Sequence, residues 1–272
     1  MSLSEMLENA DIDLLDIVVD EAAHFTVAKE ALERGLDVIV EKPFVLNYSH
    51  ALELKRLAEQ KNANIFVGHI LRFDSRMKYL KDQIDSGAIG NIRYMSFKRN
   101  FQPSAHNVYG RVNPFYSGMI HDIDLSIWFL KHKPTEFYSS VSYLLKRPTP
   151  DVLVAMLGFP NGVRSRLENI WHVSRTCPYG FENEIDVYGS KSTIRVSNTP
   201  VVEIWGENKM EVPDMFFWPY IAGKRVGALH DMLEHYLECA KNKVGSPVLP
   251  IDDIVETIRI AETLEKNSIK AK

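Results

Sequence analysis

The stretch "DVIVEKPF", residues 37–44, decides how this sequence folds. Val38, Ile39 and Val40 suit a strand covered on both faces. A proline close behind cannot continue a hydrogen-bonded ladder, so the strand must stop and present Glu41 and Lys42 at its end. The same alternation runs outward on both sides. "LLDIVV" (14–19) reads as a strand, and "AAHFTVAKEALERG" keeps Phe25, Ala28, Ala31 and Leu32 at helical spacing until Gly35 stops it. "NYSHALELKRLAEQKN" follows as a second helix and "NIFVGH" (64–69) as a third strand. Apolar strands separated by amphipathic helices predict a parallel sheet with helices on its faces, a Rossmann-like α/β unit.

Past Arg72 the pattern changes. "SGMIHDIDLSIWFLK" predicts a strong helix, and from Glu136 to about Trp205 the segments "EFYSSVSYLL", "DVLVAMLGF", "VRSRLENIWHV", "FENEIDVYG" and "STIRVS" are spaced by turn signals. They predict a large open antiparallel sheet in an α+β domain, closed by two C-terminal helices. We therefore expect two domains, 1–72 and 73–272, with those last helices free to pack back on the first. The 272 residues, 45% hydrophobic and 25% charged, suit that plan. No apolar run approaches the roughly 20 residues of a membrane-spanning helix. The polar start "MSLSEMLENADID" is unlike a secretory signal, so a cytoplasmic protein is expected. The net charge of −4 is interspersed, with no basic stripe for nucleic acid. Cys177 and Cys239 form no CxxC pair, and no metal site is implied.

Ligands of open α/β sheets bind beyond the carboxyl ends of the strands, where Glu41, Lys42 and Pro43 stand. Lys42 is either a surface lysine paired with Glu41, which spacing alone favours, or a proton-transfer group tuned by partial burial. On one continuous helix, Ser117, His121 and Asp124 would share a face opposite Met119, Ile123, Ile127 and Leu130. His121 then reads equally as a proton-transfer group or as a buried interdomain hydrogen-bond partner. Arg72 could hold a substrate carboxylate or hydroxyl pair, or form an interdomain salt bridge. Trp171 could face the cleft or serve packing. Tyr109 and Arg111 sit in a loop able to cover a substrate.

The order of these segments, from "AAHFTVAKEALERGLDVIVEKPFVLN" through "VGHILRFDSRMKYLKDQIDSGAIGNI" and "SGMIHDIDLSIWFL" to "FENEIDVYGSKSTIRV" and "LPIDDIVETIRIAETL", resembles the glucose-fructose oxidoreductase, inositol dehydrogenase and MocA family. The resemblance runs the length of the chain. It implies an oxidoreductase using NAD or NADP, acting on a polyol, sugar or related hydroxy compound, and assembled as a homodimer or homotetramer through the C-terminal sheet. It also implies Lys42 and His121 as catalytic residues, with Glu41, Pro43 and His24 beside the cofactor and Ser117, Asp124, Arg72 and Trp171 at the substrate. Lys42–Pro43 is expected to be a cis peptide.

Three departures qualify the resemblance. No G-x-G occurs, so the sequence enters the family's Rossmann unit part-way, as a truncated one. Asp20 and Glu21 stand where relatives read T-P-N, putting two negative charges near the expected pyrophosphate. Ser117 replaces a common Asp. An alternative of another class is a non-catalytic binding or oligomerisation protein derived from the family.

Overall fold

A computed structural model describes residues 3–9, 11–177, 180–197 and 202–270. After α1 (Leu3–Asn9), the chain alternates β1 (Leu14–Ile17), α2 (His24–Glu33), β2 (Asp37–Val40), α3 (Tyr48–Lys61) and β3 (Ile65–Val67). The three strands form one parallel sheet in the order β1-β2-β3. All four residues of the central strand β2 are buried, as the unbroken apolar run of its last three predicts. β1 stops at Ile17, short of the expected Val19, and leaves Val18 and Val19 exposed. α3 begins where the Asn47 side chain accepts the Ser49 N–H and ends at Asn62, which has φ 53°. The helical spacing puts Ala28, Ala31 and Leu32 of α2 and Ala51, Leu54 and Ala58 of α3 in the core.

A 3₁₀ turn (Ile70–Phe73) leads into α4 (Ser75–Asp85) and β4 (Ile92–Phe101), then through the one-turn helices α5 (His106–Tyr109) and α6 (Pro114–Ser117) to α7 (Ile120–Leu130). β5 (Glu136–Ser142), β6 (Val152–Gly158), β7 (Arg164–Ile170), β8 (Phe181–Gly189) and β9 (Thr193–Ser197) follow. Two short hairpins, β10 (Ile204–Trp205) with β11 (Met210–Glu211) and β12 (Tyr220–Ile221) with β13 (Lys224–Arg225), precede α8 (Ala228–Lys241), α9 (Ile251–Lys266) and β14 (Ile269–Lys270). The large sheet has the order β14-β5-β6-β7-β4-β8-β9. It corrects the expected antiparallel sheet: β4 runs parallel to β7, and β14 parallel to β5. Burial alternates along β4 as in a half-buried strand, but a period-two pattern carries no information about a neighbour's direction. Here β4 is inserted between the later strands β7 and β8.

α7 packs against β4 and β7 on one side and α9 on the other. Nearly every residue along it is buried, so the two-faced helix expected from its spacing is instead a core helix whose polar groups need partners. α9 also packs on α3 and β3; α8 packs on the 3₁₀ turn, and its Tyr236 Oη donates to the Val67 carbonyl of β3 at 2.7 Å. Among the described residues no helix is long and apolar enough to cross a membrane.

Candidate active site

Where β2 ends, the chain turns through a cis Lys42–Pro43 peptide. The buried His24 ring fixes this turn, with Nδ1 2.8 Å from the Pro43 carbonyl and Nε2 3.2 Å from the Val19 carbonyl. Beyond it a cavity of about 710 Å³ opens between the strand ends and the large sheet. Glu41 and Lys42 line it on one side, and Ser117, His121 and Trp171 on the other. These five expected site residues are therefore brought together. Pro43 and His24 stand behind the wall and hold the Lys42 turn in place.

Lys42 Nζ donates to the Ser117 carbonyl at 2.9 Å and lies 5.8 Å from the centre of the Tyr109 ring. Burial pushes its pKa below the ordinary lysine value; the nearby Glu41 and Glu21 oppose that shift, and Arg99 and Arg111 add to it. Glu41 accepts the Lys42 N–H at 3.0 Å, and burial raises its carboxyl pKa. Gly68 at the end of β3 lets the backbone pass under this carboxylate: a Cβ there would meet Glu41 Oε2 at 3.1 Å.

Ser117 and His121 do not lie on one helix. α6 ends at Ser117, Gly118 interrupts, and α7 begins at Ile120, but the break still delivers both side chains to the same cavity. Ser117 Oγ and His121 Nδ1 are buried without a hydrogen-bond partner among the described residues. Burial drives the His121 pKa well below 6.5, with Lys42, Arg99 and His69 adding to the effect, so the ring is neutral near pH 7. A neutral imidazole, a hydroxyl and a desolvated amine thus converge, the first two with hydrogen-bonding capacity unused and the amine held by the Ser117 carbonyl, as proton transfer to or from a ligand hydroxyl requires.

Arg72 and Asp124, expected at the substrate, face each other instead. Arg72 Nε lies 3.0 Å from Asp124 Oδ2 and Nη2 2.7 Å from Oδ1, with neither residue more than 1% exposed. Arg72 also reaches the Val248 carbonyl at 2.8 Å and Asp253 at 3.0 Å, tying the 3₁₀ turn to α7 and α9. Asp122 likewise pairs with Arg99 of β4, at 2.7 Å for Nη2. His121, Asp122 and Asp124 therefore point to three different places, which the 100° step of a helix enforces. Trp171 is 1% exposed and donates its Nε1 hydrogen to Asn169 at 2.6 Å. The expected repulsion by Asp20 and Glu21 is tempered, because Arg111 bonds both Glu21 oxygens at 3.0 and 3.1 Å and lies 3.7 Å from Asp20.

Sequence reasoning missed Arg99, Phe101 and, above all, the segment Val212 to Trp218, which all line the cavity. The signal was present: "MFFW" stands between Pro213-Asp214 and Pro219, too short for a strand or helix and too aromatic for an ordinary solvent loop.

Residues 1–69 match the model of an oxidoreductase family with an NAD-binding Rossmann fold, and residues 77–195 match the GFO/IDH/MocA C-terminal domain. The chain belongs to the GFO/IDH/MocA family. It is similar to scyllo-inositol 2-dehydrogenase (NAD(+)) of Bacillus subtilis, 26% identical over 91% of this chain and 73% of the relative. It is also similar to the uncharacterized oxidoreductase YrbE of the same organism, 26% identical over 72% of this chain and 58% of that one. The chain thus spans a little over half of one relative and about three quarters of the other. A structure of scyllo-inositol dehydrogenase from Lactobacillus casei with bound NAD(H) and scyllo-inositol shares the fold, with a TM-score of 0.78 at 20% identity, covering 98% of this chain and 81% of that one.

The residues of this GFO/IDH/MocA chain fit the reacting end of a nicotinamide cofactor. The close backbone passage at Gly68, the Lys42 amine and the unpartnered Ser117 and His121 atoms all face one cavity. The Gly-rich turn that would hold a pyrophosphate is not in the sequence.

Proposed function

We propose that the chain is an NAD- or NADP-dependent oxidoreductase acting on a secondary hydroxyl of a sugar, cyclitol or related compound. The observation that carries this reading is the meeting of Lys42, Ser117 and His121 at one cavity, where Ser117 Oγ and His121 Nδ1 have no partner among the described residues and Lys42 Nζ is held by the Ser117 carbonyl. When bound, the nicotinamide would supply the hydride acceptor. Lys42 as a free amine takes the proton of the hydroxyl being oxidised, and as an ammonium returns it in the reverse direction. Neutral His121 and the Ser117 hydroxyl hydrogen-bond the substrate oxygens and hold the carbinol in line. Arg99–Asp122 and Arg72–Asp124 keep α7 in register, so that His121 stays aimed into the cavity. Domains 1–72 and 73–272 then divide the work between cofactor and substrate, and the large sheet is the surface proposed for homodimer or homotetramer formation.

Titration with NADH and NADPH, followed by nicotinamide fluorescence, tests the reading without turnover. Saturable enhancement with at least one of them is expected below millimolar concentration. Absence of binding by both at millimolar levels would favour the non-catalytic binding protein.

A further inference from the structure

Beside the Lys42 amine stands a side chain that the proposed reaction does not use. Tyr109, the last residue of α5, lines the cavity with its ring centre 5.8 Å from Lys42 Nζ, yet it is 46% exposed and lies outside the hydrophobic core. Both flanks hold it in place. Upstream, Arg147 donates to the Pro103 carbonyl at 2.9 Å, and His106 Nε2 lies 3.0 Å from Thr149 Oγ1. Downstream, Gly110 packs so closely that a Cβ there would come within 2.5 Å of the His106 ring, and Arg111 reaches across to Glu21 through two bonds of 3.0 and 3.1 Å. Packing of the core does not require a half-exposed ring to be held so firmly.

A tyrosine ring face attracts an ammonium far more than a free amine, and does so out to about 6 Å from the ring centre. Burial acts the other way, favouring the free amine. The charged and titratable groups around this amine are Glu41 on its own turn, Glu21 after β1, Arg99 on β4, Arg111 after α5, His121 on α7 and His69 after β3. Tyr109 can be exchanged for an aliphatic residue without altering any of them. We propose that Tyr109 is a positioning residue for Lys42, its ring face holding the ammonium form beside the Ser117 carbonyl that accepts from it at 2.9 Å. The proposal rests on Lys42 as the proton-transfer group and adds the side chain that keeps the proton on it against the surrounding burial.

NMR titration of the full chain, following the Lys42 Nζ resonance assigned by its loss in Lys42→Met, tests this without turnover. In Tyr109→Leu the Lys42 midpoint is expected to fall by about half a pH unit, the size a single cation–π contact supplies. Tyr109→Phe keeps the ring face and should stay within about 0.2 pH unit of the wild type. Tyr109→Met, a second variant without the ring, should repeat the fall and decides the matter if Tyr109→Leu does not fold. A midpoint that is unchanged or raised without the ring overturns the proposal, because removing a ring that merely excludes water would let the amine keep its proton to higher pH. An equal fall in Tyr109→Phe overturns it too, by assigning the effect to the hydroxyl. If the midpoint falls as expected but the rate of hydroxyl oxidation does not follow it, the role of Tyr109 stands and Lys42 loses its place in proton transfer.

Discussion

Replacing Lys42 with Met is expected to lower turnover by about 10²- to 10⁴-fold, the usual contribution of a positioned proton-transfer group. Met preserves length and apolar stem while deleting the amine that donates to the Ser117 carbonyl, so the cavity keeps its shape. Nicotinamide and substrate affinities should therefore change far less than the rate. That split between rate and binding separates a catalytic amine from a structural one, because losing a merely structural lysine would weaken binding and stability together. Unchanged turnover in a folded Lys42→Met protein would assign the proton transfer elsewhere.

The largest stability effect is expected at Arg72. Removing it as Arg72→Met leaves the carboxylate of Asp124, 1% exposed, without its bidentate partner and frees the Val248 carbonyl and Asp253. Breaking one side of a buried ion pair costs about 3–5 kcal/mol. For a chain of this size that is a fall in Tm of roughly 10 °C by thermal unfolding. The double variant Arg72→Met/Asp124→Leu should recover much of the loss, because it removes both charges. A fall of only a degree or two for Arg72→Met would mean that the pair is not what joins the 3₁₀ turn to α7 and α9.

Much of this architecture was written in short-range patterns. The parallel sheet followed from "LLDIVV", "DVIV" and "NIFV": β2 and β3 are buried along their whole length and need apolar runs, β1 at the edge is only partly buried, and the connecting helices need amphipathic patterns. The end of β2 at Glu41-Lys42-Pro43 was equally local, since proline stops the ladder whatever surrounds it. Partner choice across the fold was not legible. Arg72 and Asp124 are 52 positions apart and pair through packing that neither neighbourhood encodes. The parallel β4–β7 pairing likewise depends on where the chain returns, not on the alternation within either strand. The helix around His121 misled in a third way. Gly118 interrupts it just after Ser117, a break that an otherwise continuous helical spacing concealed. The segment Val212 to Trp218 was visible as "MFFW", but nothing in its own neighbourhood says that it lines the same cavity as residues of the large sheet.

The central claim, that Lys42 exchanges the substrate proton, meets its most direct test in the pH dependence of hydroxyl oxidation, measured side by side for the wild type and Lys42→Met. Oxidation needs the free amine. Because burial lowers the Lys42 pKa, the wild-type rate should rise with pH through a midpoint below the ordinary 10.5 and then level off, while reduction should fall through the same midpoint. In Lys42→Met that limb should vanish from the residual rate. A wild-type rate independent of pH, or the same limb persisting in Lys42→Met, would contradict the account.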